Sequence, residues 1–216
     1  MKKAKSKFPI RLNRFTSLPV LLDILRKRHL VLLSPETWAD RNDAYYVERY
    51  REQKKLKTVL ALCFSTASQT FHHWKVFSDG SGGVCIEFDG ARLIPHLQQN
   101  GIRCRLVDYK SIAEVESSMP DTDDWPFLKR EPYRDEGEFR LVYESRQRDE
   151  QSKSIQIDLS WINKITLSPW MPKPVADSVI EVLNLQPDCD QLSIKKSLLL
   201  ENNRWKRAIN PTLKNA

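Results

Sequence analysis

The segment that most constrains this chain is 58–65, TVLALCFS, in which six of eight residues are apolar. A run this short and continuous reads as a strand covered on both faces, because a strand with one wet face would alternate. Such a strand needs neighbouring strands beside it and packed layers above and below. Residues 83–89, GVCIEFD, read as a second buried strand after the flexible turn SDGSGG, and 102–109, IRCRLVDY, alternate as a half-buried one. FPIRLNRF, with Ile10 and Leu12 sharing a face, LVLL at 30–33, SIQIDL, NKITLS and LSIKKSLLL supply further strands.

Helical patterns fall between them. TSLPVLLDILRKRHL offers Thr16 or Ser17 as a cap and Pro19 in the first turn. Its residues Val20, Leu21, Ile24 and Leu25 recur at helical spacing, and its basic last turn complements the helix dipole. Helices are also expected over 44–56, through QTFHHWKVF behind Ser68, up to about Gln99 where Asn100-Gly101 ends the run, and over 173–185. The polar stretch 111–124 reads as a loop, and WPFLKR as a helical turn. About eight strands interleaved irregularly with helices give an α+β fold. At 216 residues one domain is expected, spanning 10–200 between a basic extension, 1–9, and a basic tail, 201–216.

Charge follows the same division. Residues 1–30 carry nine Lys/Arg against Asp23, and 195–216 carry six against Glu201, while the body between them is net acidic. Basic ends suit a polyanion such as nucleic acid, and equally a merely solvated surface. The start MKKAKSKFPI lacks the apolar stretch of a signal peptide, and no run approaches the length of a membrane span. A cytoplasmic protein with no membrane partner is therefore expected. Cys63, Cys85, Cys104 and Cys189 are widely spaced and read as buried, reduced thiols.

YRDEGEFRLVY, 133–143, places Glu136 and Glu138 at the mouth of an alternating strand. On a strand they would share a face, about 7 Å apart. They read as solvated edge charges, as partners for Arg134 and Arg140, or as a catalytic pair.

Several spaced motifs occur in an order that resembles a bacterial family known as domain of unknown function 2971. They are Ser34-Pro35, Trp38, Asn42-Asp43, Phe64-Ser65, Trp74, Gly83, Cys85-Ile86, Phe88, Lys129, Tyr133, Glu136, Glu138 and Arg140. A second resemblance bears on chemistry. An arginine on the first strand, Ser65-Thr66 on an apolar strand and Glu136-Gly137-Glu138 opening a later one are similar to mono-ADP-ribosyltransferases of the arginine–serine–glutamate class. The serine that usually follows is replaced by Ala67.

That resemblance implies an ADP-ribosyltransferase-like fold, with a mixed, largely antiparallel, split sheet flanked by helices. It implies NAD as substrate, with Arg14 or Arg11 on the phosphates and Thr16 beside them. Ser65 and Thr66 would support the nicotinamide-ribose site, Glu138 would bind the ribose hydroxyls, and Glu136 would orient the acceptor. The matching expectation is an NAD-dependent transferase in bacterial conflict or phage defence, acting on a nucleic acid or protein acceptor. The other is a non-catalytic nucleic-acid-binding module of the same fold, using Lys2, Lys3, Lys5 and Lys7.

Other features have simpler readings. His72-His73 lacks a third ligand at suitable spacing, so no metal site is expected. Trp74 suits core packing or the wall of a nicotinamide pocket. Asp40, Asn42 and Asp43 read as a helix cap. SDGSGG leads into a strand rather than a helix, so it lacks the geometry of a phosphate loop.

Overall fold

In the structure, a computed structural model, residues 11–210 are described. The expected extension 1–9, Ile10 and the tail beyond 210 lie outside the described residues, as do the N-terminal lysines of the nucleic-acid-binding expectation.

Strand β1 (Arg11–Ser17) runs directly into helix α1 (Leu18–Lys27), which has Ser17 at its cap position and Pro19 in its first turn. Leu21, Ile24 and Leu25 bury one face of that helix. Strand β2 (His29–Leu33) follows, then helix α2 (Arg41–Gln53), capped by Asp40 Oδ1 accepting from the backbone N–H groups of Asn42 and Asp43. Next come β3 (Thr58–Ser65), α3 (Phe71–Phe77), β4 (Gly83–Asp89) and α4 (Gly90–Gln99). The alternating run at 102–109 breaks into β5 (Arg103–Leu106) and β6 (Asp108–Lys110). Helix α5 (Ile112–Ser117), β7 (Leu128–Arg130), β8 (Glu138–Ser145), β9 (Ser152–Gln156) and β10 (Ile162–Leu167) precede α6 (Lys173–Asn184), β11 (Ile194–Lys196) and α7 (Asn203–Ile209).

The result is a single α+β domain with a mixed, largely antiparallel sheet. Its backbone path runs β11-β10-β4-β1-β3-β2-β9, and β8 pairs with β3 on one side and β5 on the other. The pairs β10–β11 and β6–β7 are parallel; the others are antiparallel. β3 and β8 are paired along their whole length, from Thr58↔Ser145 to Ser65↔Glu138. β1 and β4 are paired over seven residues. β1 and β3, by contrast, meet in register at Asn13↔Ser65 alone. The sheet therefore has a β11-β10-β4-β1 half and a β3-β8-β5 half joined at a narrow seam, and β2 with β9 attaches to β3 through the single pair Leu33↔Ala61.

The apolar character of TVLALCFS follows from layers on both faces. Leu60, Leu62 and Phe64 join the main core with Leu12, Ile86, Phe139 and Leu141, beneath α1, α4 and α6. Val59 joins a smaller cluster with Val47 and Tyr50 of α2 and with Val142. On that same second side Phe15, Trp74 and Cys85 form a third cluster under α3.

Several local expectations need correction. Thr70, not Ser68, caps α3, its hydroxyl accepting from the His73 N–H. The stretch 111–124 is not a bare loop: Ser111 and Glu114 form a capping box that starts α5, and a 3-10 turn follows at Thr122–Phe127. Glu136 is not on the strand. It ends a 3-10 turn, Glu131–Glu136, and β8 begins at Glu138.

Candidate functional site

At the seam a cavity of about 410 Å³ opens between the middle of β1, the end of β3, the entry to α2, and α3. This lies within the usual size of a small-molecule site, about 300–1,000 Å³. Phe15, Trp38, Val76 and Phe77 give it an aromatic and apolar wall, and Glu136, Glu138, Asp43 and Lys129 a charged one.

Glu138 is buried, and its carboxylate accepts from Arg140 Nε at 2.7 Å, Arg140 Nη2 at 3.1 Å and Lys129 Nζ at 3.1 Å. Arg140 has no exposed surface and forks onto Asp43, with Nη1–Oδ1 at 2.8 Å and Nη2–Oδ2 at 2.6 Å. Its remaining valence goes to the Pro126 carbonyl at 2.8 Å, and its plane lies 4.6 Å from the Trp38 ring centre. Lys129 bridges the two glutamates, reaching Glu136 at 2.5 Å, under the face of Tyr133. Arg14 donates to the Cys63 carbonyl at 3.0 Å, across the gap that the sparse β1–β3 pairing leaves open. Asp43, Glu136 and Glu138 thus face the cleft with Lys129, and Arg140 lies behind them, so these buried charges meet opposite ones. Arg14 lines the same cleft with no ion pair among the described residues.

This balance decides the protonation states. Burial alone would raise the Glu138 carboxyl, but Arg140 and then Lys129 overturn that effect and hold it at about 2. Glu136 goes the other way: burial raises its carboxyl, and Lys129 offsets only part of the rise. Burial pushes the Cys63 thiol up beside the Glu138 carboxylate, so it stays a neutral neighbour.

The backbone of the Glu-Gly-Glu turn is held by Ser65 and Thr66. The Ser65 hydroxyl donates to the Glu136 carbonyl at 2.6 Å, while the Thr66 hydroxyl and N–H both donate to the Gly137 carbonyl, at 2.9 and 2.8 Å. The Glu136 carbonyl can only accept and the Ser65 hydroxyl already donates to it, so His73 Nε2, 3.2 Å from both oxygens, is the donor there, while His73 Nδ1 lies 2.6 Å from the Thr70 hydroxyl. Gly137 adopts φ +52°, and a Cβ there would stand 3.1 Å from the Ala67 Cβ.

The structure gathers Arg14, Ser65, Glu136 and Glu138 around the one cavity. Other expected site residues lie elsewhere. Arg11 is at the far end of β1, 3.9 Å from Glu87, and lines a separate groove with Thr66. Thr16 is buried within β1, opposite Val84. Trp74 has no exposed surface and packs edge-on against Phe15 at 5.3 Å, so it belongs to the core rather than to a pocket wall. The glutamates are not edge charges either, and Arg134 pairs with Glu131 instead. Lys129, Arg140, Asp43, Trp38 and Tyr133 were visible as motif positions, but nothing in their spacing assigned them to the site. His73 became legible only through its fixed hydrogen-bond partners. Among the described residues, no group of three or more His, Cys, Asp or Glu could hold a metal ion, and no helix is long and apolar enough to cross a membrane.

Fold and site together define an α+β domain with a split sheet and a buried ionic cleft at its seam. No family model matches the chain, and no curated protein matches it in sequence. The resemblance to domain of unknown function 2971 therefore stands on its spaced motifs alone. Among solved structures, the chain is similar to DarT of Thermus sp. 2.9 in complex with ADP-ribosylated single-stranded DNA, with 13% identity over 91% of this chain and 98% of that one, at a TM-score of 0.45. The same protein in complex with NAD+ matches at 13% identity over 88% and 96%, with a TM-score of 0.43. Its carba-NAD+ complex matches at 12% identity with the same coverage and score.

Two outcomes follow from the cleft. Gly137→Ala should lower stability by more than about 1 kcal/mol, read from the urea midpoint, because the left-handed turn and the Ala67 contact both oppose a side chain. Stability should also depend on pH through Glu138. Between about 2 and the ordinary glutamate value of 4.5, the unfolded chain binds a proton that the folded Glu138 refuses, so stability rises with pH across that window. The raised Glu136 contributes with the opposite sign above 4.5. Urea titrations across pH 2–7 should show the Glu138 slope in wild type and its loss in Glu138→Gln.

Proposed function

We propose that the chain is an ADP-ribosyltransferase-like enzyme that takes NAD into the seam cleft, breaks its nicotinamide–ribose bond and passes ADP-ribose to a macromolecular acceptor. The observation that carries this reading is the convergence of Arg14, Ser65 and Glu138. They are more than 120 positions apart along the chain at the extremes, yet line a single cavity.

Cleavage of that bond develops an oxocarbenium-like cation at the ribose carbon, and a fixed carboxylate stabilises it. Glu138 suits that task because it is ionised across the physiological range and cannot rotate away from Arg140. Lys129 lets Glu136 sit beside it without like-charge repulsion. Glu136, with its raised carboxyl, is the better proton acceptor of the pair and is assigned to the incoming acceptor group. Arg14 spends one Nη on the Cys63 carbonyl and keeps its charge for a phosphate at the cleft. The apolar wall of Phe15, Val76 and Phe77 offers a surface for a flat ring.

Calorimetry with NAD and chromatographic detection of released nicotinamide test this directly. Wild type should bind NAD and release nicotinamide, and Glu138→Gln should lose at least about 100-fold in rate. That variant also leaves Arg140 and Lys129 short of a counter-charge, so circular dichroism must accompany the assay. Wild type that neither binds nor cleaves NAD would remove this reading.

A further inference from the structure

On the other side of Asn13 lies a second concave surface of about 440 Å³, formed by the outer face of β1, β4, β10 and β11 and the segment after Ser65. Register places its residues in rows. Asn13, Glu87 and Lys164 stand abreast on β1, β4 and β10, and Thr166 and Lys195 stand abreast on β10 and β11. Arg11, Lys164, Lys195 and Lys196 face this groove with Glu87 as its one acid among the lining residues. Glu87 is shared, 3.4 Å from Lys164 and 3.9 Å from Arg11. Lys196 is tied to the Pro169 carbonyl at 3.1 Å, whereas Lys195 is exposed and makes no ion pair among the described residues. The hydroxyl residues Thr66, Ser68 and Thr166 add polar groups along the floor and wall.

A merely solvated sheet face would intersperse charges of both signs. This one is concave, carries an excess of positive charge and shares Asn13 with the catalytic cleft. Its cations spread from β1 to β11, three strand spacings or roughly 14 Å. That is longer than one pyrophosphate and suits successive phosphates of a strand.

We propose that this groove binds the phosphodiester backbone of a single-stranded nucleic acid, whose reactive group reaches the Glu138 cleft past Asn13. The role as acceptor rests on the NAD reading of that cleft, while the binding itself does not. Phosphate contacts fix position and register rather than sequence, so the groove would hold the strand and leave selectivity to the cleft. This differs from binding through the basic N-terminus, since every cation invoked belongs to the folded sheet.

The test uses fluorescence anisotropy with a labelled single-stranded oligonucleotide over a salt series, and calorimetry with NAD on the same proteins. The pair Lys164→Gln with Lys195→Gln should weaken oligonucleotide binding about tenfold and flatten the log–log salt slope by about 0.7 per lost phosphate contact. NAD affinity should not change. Glu87→Gln should move affinity the other way, an increase that a merely structural role would not produce. Unchanged oligonucleotide affinity in the double variant, or no binding by wild type, overturns the proposal. A loss of NAD affinity alone also overturns it, because the groove would then serve the dinucleotide. Oligonucleotide binding that responds to these variants in a protein that ignores NAD keeps the groove and removes the enzymatic reading.

Discussion

A guanidinium with no exposed surface has to find an acceptor for nearly every N–H it carries, and the site is arranged around how Arg140 does so. Asp43 comes from the first turn of α2, Glu138 from the start of β8, and the Pro126 carbonyl from the 3-10 turn before β7. Trp38 covers one face of the plane. One side chain therefore fixes the entry of a helix, the head of a strand and a connecting turn relative to each other. Such a buried cluster adds little net stability over an apolar replacement, but breaking it by deleting one partner costs about 3–5 kcal/mol. Its role here is geometric: it holds Glu138 charged, in one rotamer, at the edge of a cavity.

The second constraint is the narrow seam between β1 and β3. A full ladder there would bury the backbone that Arg14 now reaches, and would close the cleft. With pairing reduced to Asn13↔Ser65, the two half-sheets stay joined while their faces part. Ser65 and Thr66, at that point of contact, also hold the Glu136 and Gly137 carbonyls. They act on the glutamates through the turn rather than by lining the cleft together: Ser65 faces it, and Thr66 faces the basic groove. Opening and positioning are properties of the same few residues.

Much of the fold could be read from the sequence because period and caps are local signals. The two apolar strands, 58–65 and 83–89, and the Pro19 start of α1 appear as their residues imply. The failures are non-local. Glu136 and Glu138 look like polar members of an exposed strand face until Lys129, from a separate segment, and Arg140, two residues along the same strand and itself anchored by the distant Asp43, neutralise them. A buried charge has no sequence signature of its own, because what makes it tolerable is a partner up to 97 positions away. Trp74 shows the reverse: its pattern suits either core packing or a pocket wall, and contact of α3 with Phe15 and Cys85 makes it core.

The claim on which the rest depends is that Glu138 is held as a permanent carboxylate by Arg140 and Lys129. Carbon-13 NMR titration of the glutamate side-chain carboxyls, with Glu138 assigned by comparison with Glu138→Asp, measures it directly. The expected result is a Glu138 resonance that titrates with its midpoint at about pH 2. Titration near the ordinary value of 4.5 would contradict it.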